Sequence, residues 1–311
     1  MINFINDVIN NTIAKTSSNN ILSEKFKVPL NLFSKLQNLI RSYYDYSFDF
    51  ENFSLKKQSM TRYNNKIILK INYIHSFKLN IAKNILSKEE KQIIILMSIN
   101  NSTPKIDLII DNELFPHLFN LLNNDIIPNI DLVQDNIRKY FNTLLIFINN
   151  KLSLNELLPS STNRNKLYNS HLACQYAQKY ALNYNNNYKN FNDSGGDCTN
   201  FISQCIHTGG LNETYNWKPY NKNWITVNGL YSHLIKHHAT DIYNKELYSP
   251  GDIVQFYSNS KGYFSHSGII TYSIPRNNYL YCCHTYDKLN FPLSEIYPIF
   301  YDKLRVLKIY S

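Results

Sequence analysis

From Gly251 to its end this 311-residue chain offers strands and little else. "GDIVQFY", "HSGIITY", "YLYCCHT" and "KLRVLKIY" follow one another, with turn-prone residues between them. Two helices stand ahead of these runs. "YNSHLACQYAQKYAL" is amphipathic, with Leu172, Tyr176 and Tyr180 near one face. A second apolar face runs through Phe201, Ile202, Cys205 and Ile206. Helices first and a small antiparallel sheet after is an α+β arrangement.

The first half reads as α+β too, in a different order. "PLNLFSKLQNLIRSYYDY" begins with Pro29 and repeats Leu32, Leu36, Leu39, Ile40 and Tyr43 at helical spacing. "KIILKINYI" alternates, with Ile67, Leu69, Ile71 and Tyr73 on one face, and "QIIILMSI" and "KIDLIID" follow over links short enough for antiparallel pairing. A helix over "IDLVQDNIRKYFNTLLIFINN" stacks Val133, Ile137, Tyr140, Phe141, Leu144, Leu145 and Ile148. A chain this long suggests two domains rather than one core. The polar segment from Leu152 to Asn165, around Pro159, is the candidate linker. The expected division is 1–158, an N-terminal helix-plus-antiparallel-sheet domain of unknown role, and 159–311, an α+β domain that carries the chemistry.

That chemistry centres on "GGDCTNFISQCIHTGG". Gly195 and Gly196 let the backbone turn sharply, and Asp197 stands where a helix cap belongs. Cys198 then opens a helix, where free N–H groups and the helix dipole favour an anion. A thiol so placed has a depressed pKa, the more so beside a histidine, and the same N–H groups suit an oxyanion. Cys205, two helical turns on and without the glycines, reads as core. A thiolate needs a base, and the base an orienting group. His266 opens "HSGIITY" and His284 lies in "YLYCCHT". A hairpin across "SIPRNN" would bring both to one end of the sheet, with His284 on the far nitrogen of His266. Asp287 and Asn290 compete with His284 for that place. Cys198, His266, His284 and Cys282 or Cys283 have the ligand types of a zinc site but not the spacing, so no metal is expected.

The ordered set "DCTNF", "PGDIVQFY", "HSGII" and "YLYCCHT" resembles the papain-like cell-wall hydrolases of the NlpC and CHAP type, and within them a bacterial amidase domain family. "YAQKYALNYNNNYKNF" and "HTYDKLNFPL" share the resemblance, which covers about Tyr168 to Leu307 and not the first half. It implies a papain-like fold for the second domain, with Cys198 as nucleophile, His266 as base and His284 as third polar residue. Tyr188, with Tyr184 as its rival, would stand near the oxyanion. Asn200 belongs to the motif, beside Gln204. Cys282 and Cys283, next to His284, depart from the pattern.

The implied activity is a cysteine amidase or thiol protease, hydrolysing a peptide-type amide through a thioester, with bacterial cell-wall peptide the leading substrate and no cofactor. Acyl transfer in small-peptide biosynthesis would use the same residues. A silent peptide-binding module is a third reading, which an intact Cys198, His266 and His284 set argues against. The net charge is +9, but the lysines are scattered and no nucleic-acid motif accompanies them, so neither nucleic acid nor a membrane is an expected partner. Five cysteines at irregular spacing argue against a disulfide framework. The first residues lack the marks of a signal peptide, which makes a cytoplasmic location the expectation, with release by lysis or a helper route. Oligomeric state is left open.

Overall fold

The structure, a computed structural model, describes residues 22–100, 103–153, 168–242, 247–301 and 303–310. The segment around Pro159 and the first twenty residues lie outside them. The elements in chain order are helix α1 (Glu24–Tyr44), strands β1 (Phe48–Tyr63), β2 (Lys66–Leu79), β3 (Ala82–Asn100) and β4 (Thr103–Asp111), and helices α2 (Pro116–Asn123) and α3 (Ile130–Ser153). Then come helices α4 (Ser170–Tyr180), α5 (Cys198–Thr208), the single turn α6 (Lys222–Ile225) and α7 (Val227–His237). Strands β5 (Ala239–Asp241), β6 (Ile253–Ser258), β7 (Tyr263–Ile274), β8 (Asn278–Cys283), β9 (Lys288–Pro292) and β10 (Leu304–Ile309) complete the chain. The fold is α+β, as the order of sequence patterns requires. Among the described residues no helix is long and apolar enough to cross a membrane.

Two compact units emerge. The second takes Tyr44–Asp49, Phe77–Glu89 and the described residues from 168 onward; the first takes the others. In the first, α1 starts before Pro29 and carries it inside the helix. Its buried side is Phe26, Pro29, Leu30, Phe33, Leu36 and Ile40, a stripe rotated from the one expected. Strands β3 and β4 pair antiparallel with a bulge at Leu96/Met97. On α3, Ile137, Phe141, Leu144 and Ile148 are buried, whereas Tyr140 is exposed.

In the second unit the sheet order is β9–β8–β7–β6–β10–β5, every pairing antiparallel. Lys88 and Glu89 of β3 add a short pairing to Leu289 and Lys288 of β9. The β7–β8 hairpin closes over Arg276 and Asn277, both left-handed (φ 60° and 55°), a conformation Asn tolerates better than most residues. Side chains alternate between the two faces. One face, with Ile253, Ile269, Cys282, Leu307 and Ile309, packs on α4, α5 and α7 through Ala173, Ala177, Phe201, Ile202, Leu230 and Leu234. On the other face Val254, Phe256, Ile270, Leu280, Tyr281 and Val306 gather with Tyr46, Phe77 and Leu79. This second core therefore draws three of its side chains from segments more than 85 residues upstream of α4.

Candidate active site

Gly195 and Gly196 both hold left-handed backbone (φ 105° and 107°), as the sharp turn before Cys198 requires. A Cβ on Gly196 would lie 3.1 Å from Thr285 Oγ1, so this glycine also makes room for the end of β8. Asp197 precedes α5, but its side chain caps nothing. It turns back instead. Oδ1 accepts from Phe191 N–H and Asn200 Nδ2, each at 2.9 Å, and Oδ2 meets His284 Nδ1 at 2.7 Å. The Asp197 N–H donates to Thr285 Oγ1 at 2.7 Å.

Helix α5 is buried from Cys198 to Ile206. A helix enclosed on all sides must satisfy each polar side chain internally, and the motif residues do so. Asn200 donates to Lys189 O and accepts from Trp224 Nε1; Ser203 bonds Trp224 O and Trp217 Nε1; Gln204 accepts from Tyr176 Oη. Both tryptophans are fully buried and pack against each other at 4.7 Å between ring centres. Asn200 is thus committed to the scaffold of the site.

Cys198 is 7% exposed. Its sulfur has Thr199 Oγ1 at 3.8 Å and takes backbone N–H groups from Ser267 and Thr199. A depressed pKa was the expectation from helix position alone. Burial reverses it and pushes the thiol up; the hydrogen bonds oppose that push, while the Asp197 carboxylate adds to it.

The two histidines do not meet. Ile269 pairs with Cys282, so Ser267 and His284, each two residues away, share the helix-covered face, and His266 falls on the opposite one. His284 accordingly bonds Asp197 through Nδ1 and the Tyr180 carbonyl through Nε2 at 2.7 Å, stacked between Phe201 and Tyr184 at 3.9 Å from each. The expected bond from His284 to His266 is therefore replaced by an ion pair with Asp197, whose side chain helps shape the turn before Cys198. Both partners of the ring are acceptors, so both nitrogens must carry protons for both bonds to form. Asp287 does not take the vacant role either: it accepts from Tyr184 Oη at 2.7 Å. Tyr188 lies against Trp224, half-buried, its phenol pushed up by desolvation.

His266 stacks on Phe256 and Tyr301, with Tyr286 beside it. Its Nε2 is buried without a hydrogen-bond partner among the described residues. Burial first, then Lys288 and Lys261, push this imidazole down to about 3, so it is neutral through the physiological range. Between the ordinary histidine value near 6.5 and about 3, the unfolded chain binds a proton at this position and the folded chain does not. Stability therefore falls as pH drops through that window, by about 1.4 kcal/mol per pH unit for one proton. His233, pushed down to about 4 by burial and by His238 and His237, adds to the fall. Urea titrations at pH 7, 6, 5 and 4 should give a shallower acid loss for His266→Gln than for wild type, by about that one-proton slope. Equal slopes would mean that His266 is not held neutral. Among the described residues no three His, Cys, Asp or Glu side chains are set to hold a metal.

Three residues that no chemical pattern in the sequence singles out join the site: Ser267, Gln255 and Arg305. Ser267 Oγ lies 3.3 Å from Thr199 Oγ1 and accepts from Gln255 Nε2; Gln255 Oε1 accepts from Arg305 Nε at 2.8 Å. Gln255 sits inside "PGDIVQFY", but only the strand register brings its neighbours to it.

The family model described as "Putative amidase domain" matches residues 167–307. The chain is similar to the uncharacterized protein YjcM of Bacillus subtilis strain 168, 30% identical over 161 residues, covering 47% of this chain and 38% of the relative. It is similar also to the uncharacterized protein YhbB of the same strain, 31% identical over 129 residues, 37% of this chain and 40% of the relative. The chain thus spans about two fifths of the length of each of these relatives. No solved structure matches it. The segment that carries Cys198, His266 and His284 is the segment that resembles an amidase domain.

Proposed function

We propose that residues 167–307 form a cysteine-dependent amide hydrolase domain of papain-like, NlpC/CHAP type, with a peptide-type amide as substrate and bacterial cell-wall peptide as its leading candidate. The observation that carries the reading is the meeting of Cys198 with β7. The N–H of Ser267, the peptide that follows His266, points at the sulfur, and His266 holds a buried imidazole nitrogen without a hydrogen-bond partner among the described residues. A strand N–H points within the sheet rather than above it. The sulfur therefore meets the β7 backbone at the residue that follows His266.

The resting pair is a thiol and a neutral imidazole, since burial disfavours both charged forms. In the reaction the sulfur attacks the amide carbonyl carbon and its proton passes to His266. The tetrahedral oxyanion is held by N–H groups at the start of α5. Its collapse breaks the C–N bond, and the imidazolium gives its proton to the departing amine. Water, deprotonated by His266, then attacks the thioester carbonyl, releasing the acid and restoring the thiol. His284 holds Asp197 and takes no part in the proton transfers.

Trapping tests the reading. The full chain is incubated with cross-linked cell-wall peptides and simple peptide amides, quenched in acid and mapped by mass spectrometry. The expected result is an acyl adduct on Cys198 that hydroxylamine removes. Amide cleavage that survives Cys198→Ala, or an adduct confined to Cys174, Cys205, Cys282 or Cys283, would overturn it. Transfer of the trapped acyl group to an added amine in preference to water would identify an acyltransferase instead.

A further inference from the structure

Arg305, Gln255 and Ser267 occupy one row across three strands. Arg305 is the register partner of Gln255 on β6, and Gln255 is the partner of Ser267 on β7. The row lies on the helix-covered face, where Thr199 of α5 meets it. The contacts run without a gap from the cation to the sulfur. Arg305 Nε lies 2.8 Å from Gln255 Oε1, Gln255 Nε2 lies 3.3 Å from Ser267 Oγ, Ser267 Oγ lies 3.3 Å from Thr199 Oγ1, and Thr199 Oγ1 lies 3.8 Å from Cys198 Sγ.

The direction of this chain is fixed at its far end. A guanidinium only donates. Arg305 therefore requires the oxygen of Gln255, and the amide NH₂ must face the other way, toward Ser267 Oγ and the Val227 carbonyl at 3.1 Å. Ser267 Oγ accepts that hydrogen bond, and its own hydroxyl hydrogen is free to donate to Thr199 Oγ1. The Thr199 hydrogen is then left for the sulfur. With Ser267 donating to Thr199 and Thr199 to the sulfur, every donor points toward Cys198, and aligned bonds in a dry interior polarise one another. Arg305 itself is locked. Its guanidinium lies 3.6 Å from the Tyr231 ring centre and 4.1 Å from that of Phe264, and Nη2 donates to Asn228 Oδ1 at 3.2 Å. Burial pushes its pKa down to about 10, which still leaves it cationic at neutral pH.

We propose that Arg305, Gln255, Ser267 and Thr199 are positioning residues, forming one directed hydrogen-bond chain that stabilises the Cys198 thiolate. This deepens the proposed function and rests on Cys198 being the nucleophile. The chain answers a physical problem: burial and the neighbouring Asp197 both disfavour a negative sulfur. Asp197 is itself paired with His284 from the end of β8, and His266 on β7 is neutral, so neither supplies a net positive charge beside the sulfur. Arg305 provides one, relayed through three side chains.

The experiment is the pH profile of Cys198 alkylation by iodoacetamide in the full chain, read by mass-spectrometric mapping, alongside thermal melting. Thr199→Val keeps the shape and removes the final donor. Its profile should move to higher pH by about one unit, a roughly tenfold slower reaction below the midpoint. Ser267→Ala keeps the backbone N–H at the sulfur and should move the profile the same way, as should Arg305→Met to a smaller extent. A purely structural role would lower the melting temperature and leave the midpoint in place; that result in Ser267→Ala and Arg305→Met overturns the chain even where Thr199→Val fails to fold. Wild-type Cys198 that resists alkylation at every pH would sink the nucleophile reading and the chain with it. A wild-type profile that the variants leave undisplaced would sink the chain alone.

Discussion

Asp197→Ala should destabilise the second unit by about 3–5 kcal/mol, the range for breaking a buried ion pair by removing one partner. Both side chains of the Asp197–His284 pair are 2% exposed. The alanine variant strands an imidazole between Phe201 and Tyr184, with its Nδ1 facing no acceptor. It also leaves the Phe191 N–H without its carboxylate, and an unsatisfied buried donor adds to the cost. His284→Ala should cost less per lost bond, because the Asp197 carboxylate keeps its bonds from Phe191 and Asn200. Urea unfolding of both single variants and the double variant measures the coupling between them. A loss under about 1 kcal/mol for Asp197→Ala, or single-variant losses that simply add, would show that the pair does not hold the turn before Cys198.

Much of this architecture is legible because short-range physics fixes it. The alternating run after Lys66 becomes β2, with Leu69, Ile71, Tyr73, Phe77 and Leu79 buried. The glycine pair before Cys198 does adopt left-handed backbone. The hairpin between "HSGIITY" and "YLYCCHT" forms where expected. Strand β1 leaves no mark in the sequence for a physical reason: its described side chains are mostly exposed and polar, so no burial pattern runs along it. The expected bond between His284 and His266 does not form, on a matter of parity. Proximity in a hairpin is visible in sequence, but facing is not; a one-residue difference in register separates His284, on the helix side, from His266. The partner His284 chose, Asp197, lies 87 residues away. The row from Arg305 to Ser267 likewise joins residues that only strand pairing brings together. So does the second core, which takes Tyr46, Phe77 and Leu79 from the first half of the chain.

On the proposed mechanism, Cys198→Ala should lower amide turnover by a factor on the order of 10⁴ or more while leaving the fold intact, because a nucleophile has no substitute whereas its loss removes few contacts. Among the described residues the sulfur has one side-chain partner, Thr199, and two backbone donors, so the stability change should stay within about 1 kcal/mol. His266→Gln should lower turnover comparably, since glutamine preserves bulk and cannot carry the proton between thiol, leaving amine and water. His284→Ala should behave differently. Its ring touches Asp197 and the Tyr180 carbonyl, not His266, so its effect on turnover should follow the loss of folded protein and diminish on cooling or with a stabilising osmolyte. The pH dependence separates these roles further. With His266 held near 3 by burial, kcat/KM should not fall as pH drops from 7.5 through 6.5 to about 5, wherever the protein remains folded. A half-maximal point near 6.5 in wild type would mean that the catalytic imidazole is solvated and ordinary, and that His266 in its stacked position between Phe256 and Tyr301 is not the base.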